Sequence, residues 1–338
     1  MNGRGAFRIL KYLISRKWLL PSKKSEFLIG PFTEEIGFEV LYWIPFLHKL
    51  FEARPNCDLI IFSRGGASSW YKDLPNKTLK YIDVYDFISP EEFRIKKLAR
   101  KQHKLTEIDR LDRELIIRSG ISRTVIHPSL MFLGLMDWFS GNISEPELDS
   151  ILNFEFVQPR PTVNLSLTKS SINISSRKYI CLKLYNGPAL TIDRRESEFF
   201  TKLLNWLDSI GVDVVNLELD VALDDHSYPT FLNRRQALVN IEIKKNLEVQ
   251  TKLIESSLGV ISSYGGFAHL TAMLGVPCIT FSNQWASIFS LHNKIHIRQA
   301  LKSHSDFHFF EFSQILNTDI EILNDTKSVL NSWVKSQQ

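Results

Sequence analysis

The sequence predicts an α/β protein made of two successive Rossmann-like halves, each a parallel sheet covered by helices. Three observations carry this reading. At 338 residues the chain exceeds the roughly 250–300 residues at which a single core stops growing, so two domains are expected. Short apolar runs alternate with helical patterns along most of it, the rhythm of βαβ units. Between Asn153 and Ser176 the composition turns to Pro, Ser, Thr and Asn without helical period, which reads as a linker, and afterwards the rhythm restarts.

Residues 1–25 form a basic N-terminal segment in which Arg4, Arg8, Lys11, Arg16, Lys17, Lys23 and Lys24 interleave with Phe7, Ile9, Leu10, Tyr12, Leu13, Ile14, Trp18, Leu19 and Leu20. Its apolar runs fall short of the about 20 residues needed to span a bilayer, and no small-residue cleavage site follows. Two readings stay open: a basic amphipathic helix lying on an anionic membrane through residues 4–24, or a helix packed on the body with its charges in solvent.

Residues 26–155 are expected to form the first Rossmann-like domain. FLIG opens it, a helix follows from about Ile36 to Phe51, and the strand Asp58–Ser63 ends at Arg64, Gly65 and Gly66. A further strand is expected within 79–88, one or two surface helices within 91–118, and a strand in RTVIHPSLMF that ends at His127. The linker is placed at 156–177. The second domain, 178–325, reads as strand Tyr179–Tyr185, helix Glu196–Ile210, strand Val212–Leu219, helix Asn246–Ser257, strand Leu258–Ser263, helix GFAHLTAMLG and strand PCITFS. Residues 326–338 read as a C-terminal helix packing back on the first domain.

Composition narrows the function classes. With 44% hydrophobic and 23% charged residues the chain is an ordinary globular one rather than a disordered one. Its net charge of +4 is too small to argue for nucleic acid, and suits an anionic substrate or membrane surface. Cys57, Cys181 and Cys278 lie far apart, two of them in apolar runs, so buried thiols in a reducing, cytoplasmic setting are expected rather than disulfides or a metal site. Neither a phosphate-loop motif ending in Gly-Lys-Ser/Thr nor a Gly-x-Gly-x-x-Gly fingerprint is present, which disfavours dinucleotide chemistry.

The most informative stretch is Val260–Phe281, VISSYGGFAHLTAMLGVPCITF. A small-residue loop between a buried strand and a helix exposes backbone N–H groups, and glycines such as Gly265 and Gly266 let an anion approach closely. It reads as a phosphate cradle. Ligands in open α/β sheets bind beyond the carboxyl ends of the strands, so Lys183, Asn186, Arg194, Arg195 and the loop Ser262, Ser263, Tyr264, Gly265, Gly266 and His269 are the anion-binding candidates. Solvated-loop roles for Arg194 and Arg195, and a core role for His269, are the competing readings. Asp220–Asp225 reads as a solvated loop.

This stretch resembles the donor-site signature of GT-B glycosyltransferases related to the ADP-heptose:lipopolysaccharide heptosyltransferases, in which Asp-Ser/Thr-Gly-Pro-x-His opens a helix followed by Ala-Leu-Gly-x-Pro. Here Ser263, Tyr264 and Gly265 fall on Asp-Ser/Thr-Gly, Gly266 on the Pro, His269 on the His, and Leu274, Gly275 and Pro277 on the tail. Ser263 thus replaces the Asp. A second similarity lies in GPFTEEIGFEVLYWIP, where Glu39 falls on the family's acidic residue six positions before Pro45.

The resemblance implies a GT-B fold, its two parallel sheets facing a central cleft, with acceptor bound by the first domain and nucleotide-sugar by the second. It implies a glycosyltransferase of surface polysaccharide or lipopolysaccharide synthesis, acting on a carbohydrate or lipid-linked acceptor, without metal or other cofactor, on the inner face of the cytoplasmic membrane. A carboxylate would deprotonate the acceptor hydroxyl: Glu39 by the match, or Glu35, which lies in the loop itself at a helix start that favours its ionised form. Glu34, Gly37, Arg64 and His127 are the acceptor-side candidates, with a structural role the alternative for His127. Trp43, Trp70 and Trp138 are candidates for sugar stacking, with core packing the default for the first and last. A CMP-Kdo-type sugar-acid transferase, a catalytically silent sugar-nucleotide-binding subunit and, less closely, a pyruvyl transferase are the alternatives.

Overall fold

The computed structural model describes residues 25–100, 107–149, 179–187, 189–218, 227–229, 241–283, 287–303, 305–312 and 318–336. The basic stretch 4–24, the linker 156–177 and the acidic loop 220–225 therefore lie outside the described residues. The chain divides into two units: Met1–Phe156 with Ile243–Glu248, and Val157–Glu242 with Val249–Gln338.

In unit 1, the strands β1 (Glu26–Ile29), β2 (Asp58–Ser63), β3 (Thr78–Asp83) and β4 (Thr124–Ile126) form a parallel sheet in the order β3-β2-β1-β4. Leu28 lies opposite Ile60 and Val125. The apolar runs of β1 and β2 suit strands buried on both faces, the condition of a parallel sheet under helices. Helix α1 (36–51) crosses between β1 and β2, and its middle turn, Glu39–Trp43, is π-helical between α-helical ends Ile36–Phe38 and Ile44–Phe51. All five residues of that turn are buried, and such one-turn widenings concentrate at functional sites.

Three further helices complete the described part of this unit up to residue 140: α2 (Pro90–Ala99), α3 (Arg110–Ser119) and α4 (Ser129–Phe139). The expected strand at 79–88 ends early because the Asp83 side chain accepts from the Tyr85 N–H at 2.9 Å and caps a short helical turn, Val84–Asp86. RTVIHPSLMF gives only the three-residue β4, since Pro128 stands at the N-cap of α4 and the rest of the run is helical. A short helix, α5 (Glu145–Asp149), follows.

In unit 2, β5 (Tyr179–Lys183), β6 (Asp213–Asn216), β7 (Val260–Ser263), β8 (Cys278–Ser282) and β9 (Phe307–Glu311) form a second parallel sheet, β6-β5-β7-β8-β9. Every residue of β5, β7 and β8 is buried. β6 stops at Asn216 because its Oδ1 accepts from Glu218 N at 3.1 Å, a local turn that ends the ladder. The helices are α6 (Arg194–Ser209), α7 (Asn246–Ser256), α8 (Gly266–Met273), α9 (Ser287–Lys302) and α10 (Thr318–Lys335).

The core of unit 2 is aromatic where α6 meets the sheet: Phe199 and Phe200 pack edge-on against Phe281 and Phe312 at 5.0–6.0 Å between centroids. Such pairs add about 0.5–1.5 kcal/mol to their area burial. The C-terminal helix, expected to return to the first domain, contributes Leu330 and Trp333 to this same core. Trp333 lies against Gly259, where a Cβ would come within 2.4 Å of the indole, and donates from Nε1 to Asp306 at 2.7 Å. No helix among the described residues is long and apolar enough to cross a membrane.

Candidate active site

The loop between β1 and α1 and the first turns of α1 carry three carboxylates, and the structure separates them sharply. Glu35 is exposed, at the N-cap of α1 with extended backbone, and its carbonyl accepts from Phe38 N at 3.1 Å and Glu39 N at 3.3 Å. Glu39 has no exposed surface. Its Oε1 accepts from Ser63 and from the Tyr71 hydroxyl, and its Oε2 lies 3.7 Å from the Arg64 guanidinium. Burial pushes the Glu39 carboxyl up, against the opposing pull of Arg64, Ser63 and Tyr71. Glu39 is thus walled in by side chains of its own unit, while Glu35 faces solvent.

Arg64, at the end of β2, is equally committed. It donates to the Phe32 carbonyl at 3.1 Å and to the Glu34 carbonyl, and 7% of its surface is exposed. The following Gly65 and Gly66 adopt φ of +66° and +77°. Added Cβ atoms would meet Asn246 Oδ1 at 2.1 Å and the Lys244 carbonyl at 2.8 Å, so these glycines let the loop press on the 243–248 segment, whose Leu247 N–H donates to the Gly65 carbonyl at 2.8 Å. Gly37 is buried in the first turn of α1.

Behind the loop lies a buried ionic cluster centred on Arg100. Its guanidinium donates to Glu34 Oε1 at 2.8 Å, Thr33 Oγ1 at 2.9 Å, Asp112 Oδ1 at 2.7 Å and both carboxylate oxygens of Asp109. Thr33 donates in turn to Asp112 at 2.8 Å. His127 Nδ1 accepts from Ser129 N at 3.1 Å, which leaves the ring proton on Nε2, 3.0 Å from Asp112 Oδ2. Both nitrogens of His127 are therefore engaged inside the unit, and the acceptor-side role weighed for it gives way to an internal one. Burial raises the Glu34 carboxyl, with Arg100 opposing. For Asp112, burial pushes up, but the His127 hydrogen bond and the Arg100 charge prevail and hold it low. Trp43, Trp70 and Trp138 are all buried, so none offers a face for stacking.

In unit 2 the loop from Ser263 to Gly266 stands where the sequence places it, between β7 and α8. Gly265 is the N-cap of α8, with φ 157° and ψ −154°, a region essentially confined to glycine. A Cβ there would fall 2.2 Å from the Tyr185 hydroxyl. Ser263, the residue in place of an Asp, uses its hydroxyl at home: Oγ accepts from Tyr185 N at 3.0 Å and donates to Tyr185 O at 2.9 Å. That pair of bonds ties the end of β5 to the loop. The first N–H groups of α8 have no intrahelical partner, as in any helix, and carry the positive end of its dipole.

The other donor-side candidates divide. Lys183 is buried, donating to the Leu217 carbonyl at 3.1 Å and the Tyr228 hydroxyl at 2.9 Å, with its ammonium 5.1 Å from the Phe267 ring. Asn186 accepts from Ile192 N at 2.6 Å and donates to Ser227. Arg195 forms a two-point pair with Asp319 of α10, both contacts at 2.6 Å, and Arg194 is exposed beside Glu198. The two arginines thus do not converge on the loop. Ser262 and His269 are buried. The His269 ring packs against Tyr264 and His296, at 5.4 and 4.7 Å between centroids, and burial drops its pKa to about 3. It is a neutral core histidine.

Sequence reasoning missed Arg100, Asp112, Tyr71 and His296. The first two sat within a run read as a surface helix, and one signal was available: Asp109, three residues before Asp112, is the N-cap of α3 and accepts from Asp112 N at 2.8 Å. Among the described residues no group of three or more His, Cys, Asp or Glu is placed to hold a metal ion.

The two parallel α/β units define the GT-B class of fold. No family model and no curated protein matches the sequence. Among solved structures, Escherichia coli ADP-heptose lipopolysaccharide heptosyltransferase II is similar over 93% of this chain and 100% of its own, at 13% identity and a TM-score of 0.52. Escherichia coli heptosyltransferase WaaC with ADP matches over 91% and 99% at 14% identity, and a glycosyl transferase family 9 protein of Veillonella parvula over 89% and 91% at 12%, both with TM-scores of 0.43. The first of these likenesses bears out the fold class read from the sequence.

Proposed function

We propose that the chain is a glycosyltransferase that moves a sugar from a nucleotide-activated donor to a carbohydrate or lipid-linked acceptor in lipopolysaccharide or surface polysaccharide synthesis. The observation that carries this is the Ser263–Gly266 loop. Gly265, in a backbone conformation that favours glycine, leads into the α8 N-terminus, whose free N–H groups suit a phosphate, at the carboxyl end of a central strand, in a fold shared with an ADP-heptose transferase. Glu35 is the general base of this reading, because it is the exposed carboxylate of its loop whereas Glu34 is paired with Arg100 and Glu39 is walled in. It takes the proton of the acceptor hydroxyl as that oxygen bonds the anomeric carbon and the bond to the nucleotide phosphate breaks. The N–H groups of the α8 N-terminus carry the charge of the leaving nucleotide, so the reading needs no metal. The basic stretch 4–24 would hold the enzyme at an anionic leaflet near a lipid-linked acceptor.

The experiment is a thermal-shift panel with ADP, UDP, GDP and CMP, followed by transfer assays on the parent and Glu35→Gln. One nucleotide is expected to stabilise the protein, by about 2.7 kcal/mol at a hundredfold excess over its Kd, and Glu35→Gln is expected to bind it normally but transfer sugar about 100- to 10,000-fold more slowly. A response to none of the four overturns the donor reading, and a response to CMP alone favours the sugar-acid transferase. Full turnover by Glu35→Gln removes Glu35 as the base.

A further inference from the structure

Glu35 stands on a stretch, Pro31–Glu35, that has no helix or strand of its own; besides the Phe32 N–H to Phe62 carbonyl bond at 2.8 Å and the helix-start bonds to the Glu35 carbonyl, side-chain chemistry holds it. We propose that Arg100 is a positioning residue that orders this loop and sets the direction of the Glu35 carboxylate; this rests on the reading of unit 1 as the half that activates the acceptor. Arg100 has five N–H donors, and all five are used: two on Asp109, one on Asp112, one on Thr33 and one on Glu34. Two of these acceptors are loop side chains, immediately before Glu35. The other two residues, Asp109 and Asp112, are fixed by the capped first turn of α3.

A second guanidinium grips the same loop by its backbone. Arg64 takes the carbonyls of Phe32 and Glu34 and is steadied by Glu39 at 3.7 Å. The loop is therefore held on its carbonyls by one arginine and on its side chains by the other, and Glu35 is the carboxylate left facing solvent. The side chain of Arg100 is 8% exposed, so it acts through the loop rather than on a substrate. Lysine cannot substitute, since three donors on one atom cannot reproduce a five-donor planar fork. Misplacing a reacting group by about 1 Å costs on the order of a hundredfold in rate.

The test uses the full chain with Arg100→Lys, Glu35→Gln and the double variant, with the nucleotide-sugar selected by the panel above. Arg100→Lys is expected to speed amide hydrogen exchange at residues 32–36, and to lower kcat about 10- to 100-fold while the donor KM stays within about twofold. In the Glu35→Gln background it should cause no further loss. Unchanged exchange and kcat in folded Arg100→Lys overturn the proposal, and so does a full additional loss in the double variant, which would put Arg100 on another path. If Glu35→Gln keeps its turnover, the base assignment falls, and the exchange rates alone then decide whether Arg100 orders the loop. Should Arg100→Lys not fold, Thr33→Val removes two hydrogen bonds from the same cluster, those to Arg100 and Asp112, and the same shifts, smaller in size, are required of it.

Discussion

Replacing Gly265 with alanine tests the geometry of the β7–α8 loop at one atom. The new Cβ would sit 2.2 Å from the Tyr185 hydroxyl, and the backbone would be held at φ 157° and ψ −154°. The conformational strain is about 1–3 kcal/mol, and the steric overlap a further 1–3 kcal/mol or so. At roughly 2–4 °C per kcal/mol for a unit of this size, the combined cost of about 2–6 kcal/mol should lower the melting temperature of Gly265→Ala by about 4–24 °C. The second half of the test is relief by Tyr185→Phe. With the hydroxyl gone, the nearest remaining contact of that Cβ is the Tyr185 Cζ at 3.5 Å, an ordinary van der Waals distance, so only the backbone strain should persist. Tyr185→Phe alone should cost no more than about 1.5 kcal/mol. A double-mutant cycle read by calorimetry or urea unfolding should then give a favourable coupling of about 1–3 kcal/mol. A Gly265→Ala protein that melts with the parent, or additive effects in the cycle, would refute the close approach of Tyr185 to the loop.

The buried histidine predicts an acid sensitivity. The folded pKa of His269 is about 3 against an ordinary 6.5, so the unfolded chain binds more protons as pH falls through that window. This group's share of stability is therefore lost between about pH 6.5 and 3, at about 1.4 kcal/mol per pH unit. Urea unfolding at pH 7 and 5.5 should show a smaller loss in His269→Gln than in the parent, and equal losses would count against a neutral buried ring. For Arg195, the pairing with Asp319 predicts that Arg195→Ala destabilises by no more than about 1 kcal/mol and leaves the Kd of the stabilising nucleotide within twofold. A tenfold rise in that Kd would return Arg195 to the donor site.

Much of the fold was legible in the sequence because parallel sheets leave a plain trace. Strands buried on both faces are largely apolar, and Tyr179–Lys183, Val260–Ser263 and Cys278–Ser282 each open on an apolar run. Where the reading overran, a local polar group or proline had ended the element. Asp83 caps the turn after β3, Asn216 turns the chain after β6, and Pro128 starts α4. The strand-to-helix turn at Gly265 was legible too, because glycine after an apolar run signals a backbone that other residues rarely follow.

The carboxylates were not legible to the same degree. Glu34, Glu35 and Glu39 are alike in sequence, and the spacing before Pro45 favoured Glu39 by resemblance. Tertiary packing separates them: Ser63 and Tyr71 from the β2 side enclose Glu39, Arg100 from α2's C-terminal end takes Glu34, and Glu35 remains in solvent. Likewise the neighbouring Arg194 and Arg195 look equivalent until Asp319, 124 residues on, claims one of them. The sequence by itself determined the α/β class, the place of the glycine turn between β7 and α8 and the residue types available for chemistry, since hydrophobic periodicity and glycine conformations are local properties. Only the tertiary structure decided which charges are spent on one another and which face solvent. Burial and ion pairing are set by partners distant in the chain, and no spacing along it reports them.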